Sequence, residues 1–234
     1  DVGERGLMRA FIQRLFELSD KPGWWSLTAW LAREAGRPDL AVRIAKRANR
    51  DGTALLDVAY PTLEPPALPK TAKNSPPEVP LTLAVIRQES AFRIDAKSRA
   101  NARGLMQIIP PTAKTVSKGL KMRFSRVKLM TDPKYNMTLG QSYLGGLIQD
   151  FNGSYVLALA AYNAGPHRVK RWLKAHGDPR RSEVDAIDWV EMIPYNETRN
   201  YVQRVLENLQ VYRLRLAETE VALGLADDLH FSEN

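Results

Sequence analysis

Seven of the chain's fifteen prolines lie between residues 61 and 80, with Asn74-Ser75 among them. Each proline removes a backbone donor and collides with the preceding turn, so no regular helix crosses that density. The stretch reads as an extended linker. A domain boundary is expected inside it, leaving a helical segment at 1–60 and a second domain at 81–234.

The first sixty residues carry helical spacing. Leu7, Phe11, Leu15 and Leu18 form a stripe over residues 5–18. Pro22 opens a second helix, with Trp24, Leu27 and Leu31 on one side and Gly36 near its end. Pro38 opens a third, with Ala41, Ile44 and Ala48 facing one way and Asn49-Arg50-Asp51-Gly52 stopping it. Ala54 to Tyr60 reads as a short fourth. Tight connections between such helices predict hairpins, with the Trp pair packing inside them. Two hairpins bury too little to form a solenoid core alone. They are expected to cap the downstream domain or to end a longer helical array.

The second domain also reads as helical. A helix is expected over 81–91, then a loop at 92–103, a short strand or turn near Gly104 to Ile109, and a helix from Pro111 to about Lys118 closed by Gly119. Asp132-Pro133 is an N-cap followed by proline at the first helical position. That helix carries Leu139, Tyr143, Leu144, Leu147, Ile148 and Phe151. Gly153-Ser154 breaks and recaps, and Tyr155 to Tyr162 reads as a buried helix. Gly165-Pro166 restarts a short helix that ends at Gly177. Another short helix falls near 186–192, and Tyr201, Val205, Leu209, Tyr212 and Leu216 make a long amphipathic stripe. The class is mainly α, with at most a small strand element.

Charge and composition remove several functions. The 234 residues carry a net charge of +8, with 44% hydrophobic and 26% charged. A soluble globular protein with a taste for polyanions is expected. No basic block with interleaved aromatics stands out, which disfavours nucleic acid. There is no Cys, so disulfides and thiol chemistry are excluded. His167, His176 and His230 are too scattered for metal-ligand spacing, and neither a metal nor a cofactor is expected. The longest apolar run, Tyr155 to Tyr162, is too short to span a bilayer. No signal peptide opens the chain, and Asp1 reads as a mature or fragment start.

One acid stands out. Thr82, Val85, Ile86 and Glu89 share a helix face, so Glu89 sits on the side that Val85 and Ile86 bury. A carboxylate there must be paired, protonated or working. Its place at a helix end, in an apolar surround, disfavours the ionised form and suits a general acid. Pairing with Arg87 or Arg93 is the plainer alternative.

Three motifs bear on that choice. Glu89-Ser90-Ala91-Phe92, Ala96-Lys97-Ser98 and Gly104-Leu105-Met106-Gln107-Ile108-Ile109-Pro110 with Thr112-Ala113 resemble the first signature of the soluble lytic transglycosylases, which cleave bacterial peptidoglycan. Ala161-Tyr162-Asn163-Ala164-Gly165 is similar to the second. Ile193 to Val202, with Pro194-Tyr195-Asn196-Glu197, is similar to the third. The resemblance covers roughly Pro80 to Leu216. It implies a lysozyme-like catalytic domain preceded by helical hairpins, in the bacterial periplasm, acting on peptidoglycan glycan strands.

The resemblance also implies roles. Glu89 protonates the glycosidic oxygen between N-acetylmuramic acid and N-acetylglucosamine, then takes the proton of the muramic C6 hydroxyl as a 1,6-anhydro ring closes. Ser98, Gln107, Tyr162, Asn163, Tyr195 and Glu197 are implied to bind substrate. On residue chemistry alone these stay open: Ser98 also reads as a loop cap, Gln107 as a backbone tie, Tyr162 and Asn163 as core and helix-end residues, and Glu197 as a helix-dipole partner. Asp95, between Arg93 and Lys97, reads as solvated. The sequence departs from the family pattern at Asn101, where many relatives have Gly, and at Ile109, where many have Met. Asn tolerates a left-handed backbone, so the turn is expected to survive. The alternatives are a hydrolytic, goose-type-like muramidase and a non-catalytic wall-binding module.

Overall fold

The computed structural model describes residues 2–217 and 223–229, and His230 lies outside them. Its helices are α1 (Val2–Glu17), α2 (Pro22–Glu34), α3 (Pro38–Arg50), α4 (Leu56–Ala59), α5 (Val79–Glu89), α6 (Pro110–Gly119), α7 (Lys128–Thr131), α8 (Pro133–Asp150), α9 (Tyr155–Ala164), α10 (Pro166–His176), α11 (Ala186–Glu191), α12 (Asn196–Leu216) and α13 (Leu225–Leu229). Among the described residues there is no strand. Residues 104–107 form a turn, flanked by isolated antiparallel bridges pairing Lys97 with Arg103 and Arg103 with Ile108. No described helix is long and apolar enough to cross a membrane.

Helix α5 lies in the larger of two cores, and the hairpin segment has its own around Trp25, Ala29 and Ile44. Pro80 sits in the first turn of α5, where a missing N–H leaves no bond unmade. Leu81 to Ile86 are buried on every side, and Arg87 nearly so. The expectation of a single buried face is corrected: α5 is a central helix, wrapped all round. The long α12 lies along it and buries Tyr201, Val202, Val205 and Leu209. Helix α9 adds an unbroken buried run from Val156 to Ala161. Each fully buried Leu, Ile or Val contributes about 1.5–3 kcal/mol, so the helix carrying Glu89 is among the most firmly held parts of the molecule.

Two caps form as their residues dictate. Asp132 accepts from Tyr135 N at 3.0 Å, and Ser154 from Leu157 N at 3.3 Å. Gly119, expected to close its helix, is instead the last helical residue, and the left-handed residue is Lys121 (φ 56°).

The hairpin segment differs in register. Leu7, Phe11 and Leu18 face solvent, and among the side chains described in α1 the buried one is Ile12. In α2 the buried side is Trp25, Thr28, Ala29 and Ala32, with Leu27 exposed and Trp24 and Leu31 half-buried. Small residues let α2 and α3 approach closely, so Ala29 and Ala32 take the interface that the larger side chains mark by size. Helix α3 buries Ala41, Ile44 and Ala48 as expected.

Residues 61–78 are extended, yet they are not a free spacer. Pro61 O accepts from Tyr212 Oη at 3.0 Å and Pro66 O from Gln141 Nε2 at 3.0 Å. Thr71 Oγ1 donates to Leu120 O at 2.7 Å and Asn74 Nδ2 to Ser142 O at 3.0 Å. The strap presses so close at Gly145 that a Cβ there would lie 2.4 Å from Ser75 O.

Candidate active site

Glu89 is the last residue of α5. The chain then turns sharply through Ala91 (φ 49°) and Phe92 (φ 67°), left-handed values that non-glycine residues seldom adopt and that cluster at functional sites. The turn delivers Glu89 to a cavity of about 430 Å³ that Ser98 and Gln107 also line. Burial pushes the Glu89 carboxyl up to about 8. The Tyr201 hydroxyl opposes that rise, and the negative charge of Glu197 adds to it. Neither nearby arginine neutralises the acid. Arg93 pairs with Asp95 at 2.8 Å. Arg87 turns away, donating to Ala59 O at 2.8 Å and Asn208 Oδ1 at 2.6 Å. Glu89 is thus a protonated acid at neutral pH, open to a cavity.

The turn opposite is built by two residues. Gly104 has φ 75°, and a Cβ on it would lie 2.0 Å from Leu129 O and 2.3 Å from Asn136 Nδ2, so only glycine fits. Asn136, 1% exposed, accepts from Met106 N at 2.8 Å and donates to Arg103 O at 2.9 Å and Leu129 O at 3.0 Å. These bonds hold the turn that presents Gln107, itself left-handed at φ 46°. Gln107 Nε2 donates to Ala96 O at 3.1 Å and Gly104 O at 2.7 Å, and its carbonyl oxygen has no described protein donor. Asn101 takes the left-handed conformation expected of it, at φ 65°. Ile109 is exposed at the start of α6.

The other residues singled out from the sequence lie at different depths. Ser98 Oγ accepts from Ala102 N at 3.0 Å, capping the loop at the cavity edge. Tyr162 approaches from α9, close enough for the Glu89 charge to act on it, and its hydroxyl donates to Met106 O at 2.7 Å. Its ring lies against Tyr143, with centroids 5.4 Å apart. Asn163 Oδ1 accepts from Thr198 Oγ1 at 2.7 Å, tying α9 to α12. Tyr195 is exposed, edge-on to Trp172 and under the Arg168 guanidinium. Glu197 is exposed in the first turn of α12. Of these six, Ser98 and Gln107 line the Glu89 cavity, and Tyr162 and Glu197 are near enough to act on the Glu89 carboxyl by charge.

Two residues of the site were not singled out. Tyr201 is buried, and its hydroxyl lies against the Glu89 carboxyl without a well-formed hydrogen bond to any described group. A Tyr in a buried stripe always leaves a hydroxyl needing a partner, which was the available signal. Asn136 offered a weaker one: an amide in a helix that also buries Thr138, Gln141 and Ser142, each needing a partner.

Comparison with known proteins places these features. A model of the transglycosylase SLT domain matches residues 68–184, half of the 234-residue chain. A model of the soluble lytic transglycosylase helical domain matches residues 192–220, along α12 and not in the hairpin segment. The soluble lytic murein transglycosylase of Escherichia coli K12 is 40% identical over 146 residues, covering 62% of this chain and 22% of the relative. The membrane-bound lytic murein transglycosylase D of the same organism is 33% identical over 160 residues, covering 66% of this chain and 33% of that protein. The chain therefore spans about a fifth to a third of the length of these relatives. Among solved structures, an inactive mutant of the lytic transglycosylase Slt from Pseudomonas aeruginosa superposes with a TM-score of 0.76 at 35% identity, covering 92% of this chain and 34% of that one. The 70 kDa soluble lytic transglycosylase of Escherichia coli gives 0.74 at 31% identity, covering 90% and 33%. With this mainly helical, lysozyme-like fold and a domain match over half its length, the chain belongs to the soluble lytic transglycosylase family.

Proposed function

We propose that this chain is a peptidoglycan lytic transglycosylase in which Glu89 alone moves both protons. The observation that supports this most strongly is the Glu89 carboxyl itself: raised to about 8, unpaired with any cation, and open to a cavity. In the first step its proton goes to the oxygen of the departing N-acetylglucosamine as the C1–O bond of N-acetylmuramic acid breaks. The carboxylate left behind then takes the proton of the C6 hydroxyl as that oxygen bonds C1 and closes the 1,6-anhydro ring. No water enters. The substrate's own acetamido oxygen stabilises C1 between the two steps. The open carbonyl of Gln107 suits an acetamido N–H, and the Ser98 hydroxyl keeps a proton to donate.

Hydrolysis is the competing reading; in its direct, inverting form it asks for a second carboxylate to activate water. Asp95 is exposed and bound to Arg93, and Glu197 is exposed at a helix start. Neither shares the buried environment of Glu89. Peptidoglycan as substrate and the periplasm as compartment belong to the same proposal. Replacing Glu89 by Gln should abolish release of soluble muropeptides from purified sacculi while leaving the circular dichroism spectrum unchanged. Substantial residual cleavage would refute the assignment.

A further inference from the structure

Helix α8 meets the turn at 104–107 with two residues one helical turn apart on the same face. Asn136 is the first and Gly140 the second. Gly140 is buried inside the helix and is not left-handed, so its backbone gives no reason for glycine. Alanine would be the more stable residue at such a position. The reason lies across the interface. A Cβ at Gly140 would stand 2.2 Å from Met106 Sδ, 2.8 Å from its Cβ and 3.0 Å from its Cε. Met106, wholly buried, therefore fills the notch that the missing side chain leaves. Gly146, further along the same helix, has nothing within 4 Å of such a Cβ.

The backbone of Met106 is held as closely as its side chain. Its N–H donates to Asn136 Oδ1 at 2.8 Å, and its carbonyl accepts from the Tyr162 hydroxyl at 2.7 Å. One residue thus seats the turn on α8 and ties it to α9. The next residue is Gln107, which lines the Glu89 cavity. Gln107 Nε2 is bound to Gly104 O and Ala96 O, so its carbonyl oxygen moves with the turn. We propose that Gly140 is a positioning residue for the reaction: through Met106 it sets how deeply the turn seats on α8, and so where the Gln107 carbonyl meets the substrate. This rests on the reading of Gln107 as a substrate contact. A side chain at 140 pushes Met106 outward, and in a close-packed interior that push reaches Gln107. Glu89 belongs to a different element, α5, so binding suffers more than proton transfer.

The test is steady-state release of muropeptides from soluble glycan strands by the full chain, counted by chromatography whichever end group forms. Gly140→Ala is expected to raise KM about fivefold and to change kcat by less than about twofold. Gln107→Ala should raise KM by a similar factor. The two together should raise it no further than Gln107→Ala alone, because the glycine acts through that amide. Gly146→Ala, with open space around it, should leave KM unchanged. If Gly140→Ala does not fold, Met106→Leu makes the same comparison, since it keeps the volume and puts a branch against the notch. KM effects that multiply in the double variant, a fall in kcat with KM untouched, or an unchanged KM in Gly140→Ala or in Gln107→Ala would each overturn the assignment. Products carrying an added water would count against the transglycosylase reading alone and leave the role of Gly140 standing.

Discussion

At the residue scale, Glu89 is placed at a cost to the native state. Its folded carboxyl titrates near 8 against 4.5 for an unperturbed one. Between those values the native state holds more protons than the unfolded chain, so stability falls as pH rises from 4.5 through 8. Below 4.5 both states are protonated and the loss disappears. Glu89→Gln should therefore melt higher than the wild type above pH 8, by at least about 2 °C, with the gap closing below about pH 4. Differential scanning calorimetry across that range checks both ends. The same acid sets the basic limb of the rate profile: kcat/KM should fall above pH 8 as Glu89 loses its proton. Because the Tyr201 hydroxyl holds the Glu89 pKa down, Tyr201→Phe should move that limb to higher pH. An unmoved limb would show that the hydroxyl does not reach the carboxyl in solution.

At the scale of elements, the turn at 103–108 depends on α8. Asn136→Ala would strand Met106 N–H and Leu129 O and leave Arg103 O with Ile108 N–H alone, an expected loss of about 2–4 kcal/mol in a denaturant melt. Asn136→Asp should recover only the Met106 bond, since a carboxylate has no N–H to give the carbonyls of Arg103 and Leu129. This dependence shows where the sequence was legible. Prolines, capping residues and the buried run at Tyr155 act over a few neighbours, and the helices they predict are present. Asn101 is another local case, since its left-handed turn follows from its own side chain. Asn136 and Tyr201 act on residues far along the chain, so spacing could not reveal them. The α1 and α2 stripes misled for a related reason. Which face is buried depends on what packs there, and Ala29 and Ala32 take the α3 interface by being small.

At the scale of the whole molecule, Arg87 joins the segments. One side of its guanidinium is held by Ala59 O and the Tyr60 ring, the other by Asn208 of α12. The end of α5, and with it Glu89, is thus braced by the hairpin segment. A fragment of residues 61–234 loses Ala59 and Tyr60, and should melt below the full chain and cleave sacculi at least about tenfold more slowly. Equal melting and equal rates would show that the brace is idle. The reaction itself is read most directly from the mass of what the full chain releases. Wild-type protein on purified sacculi should yield muropeptides one water lighter than hydrolysed products, ending in 1,6-anhydromuramic acid. Products carrying the added water would contradict a lone glutamate that closes the ring.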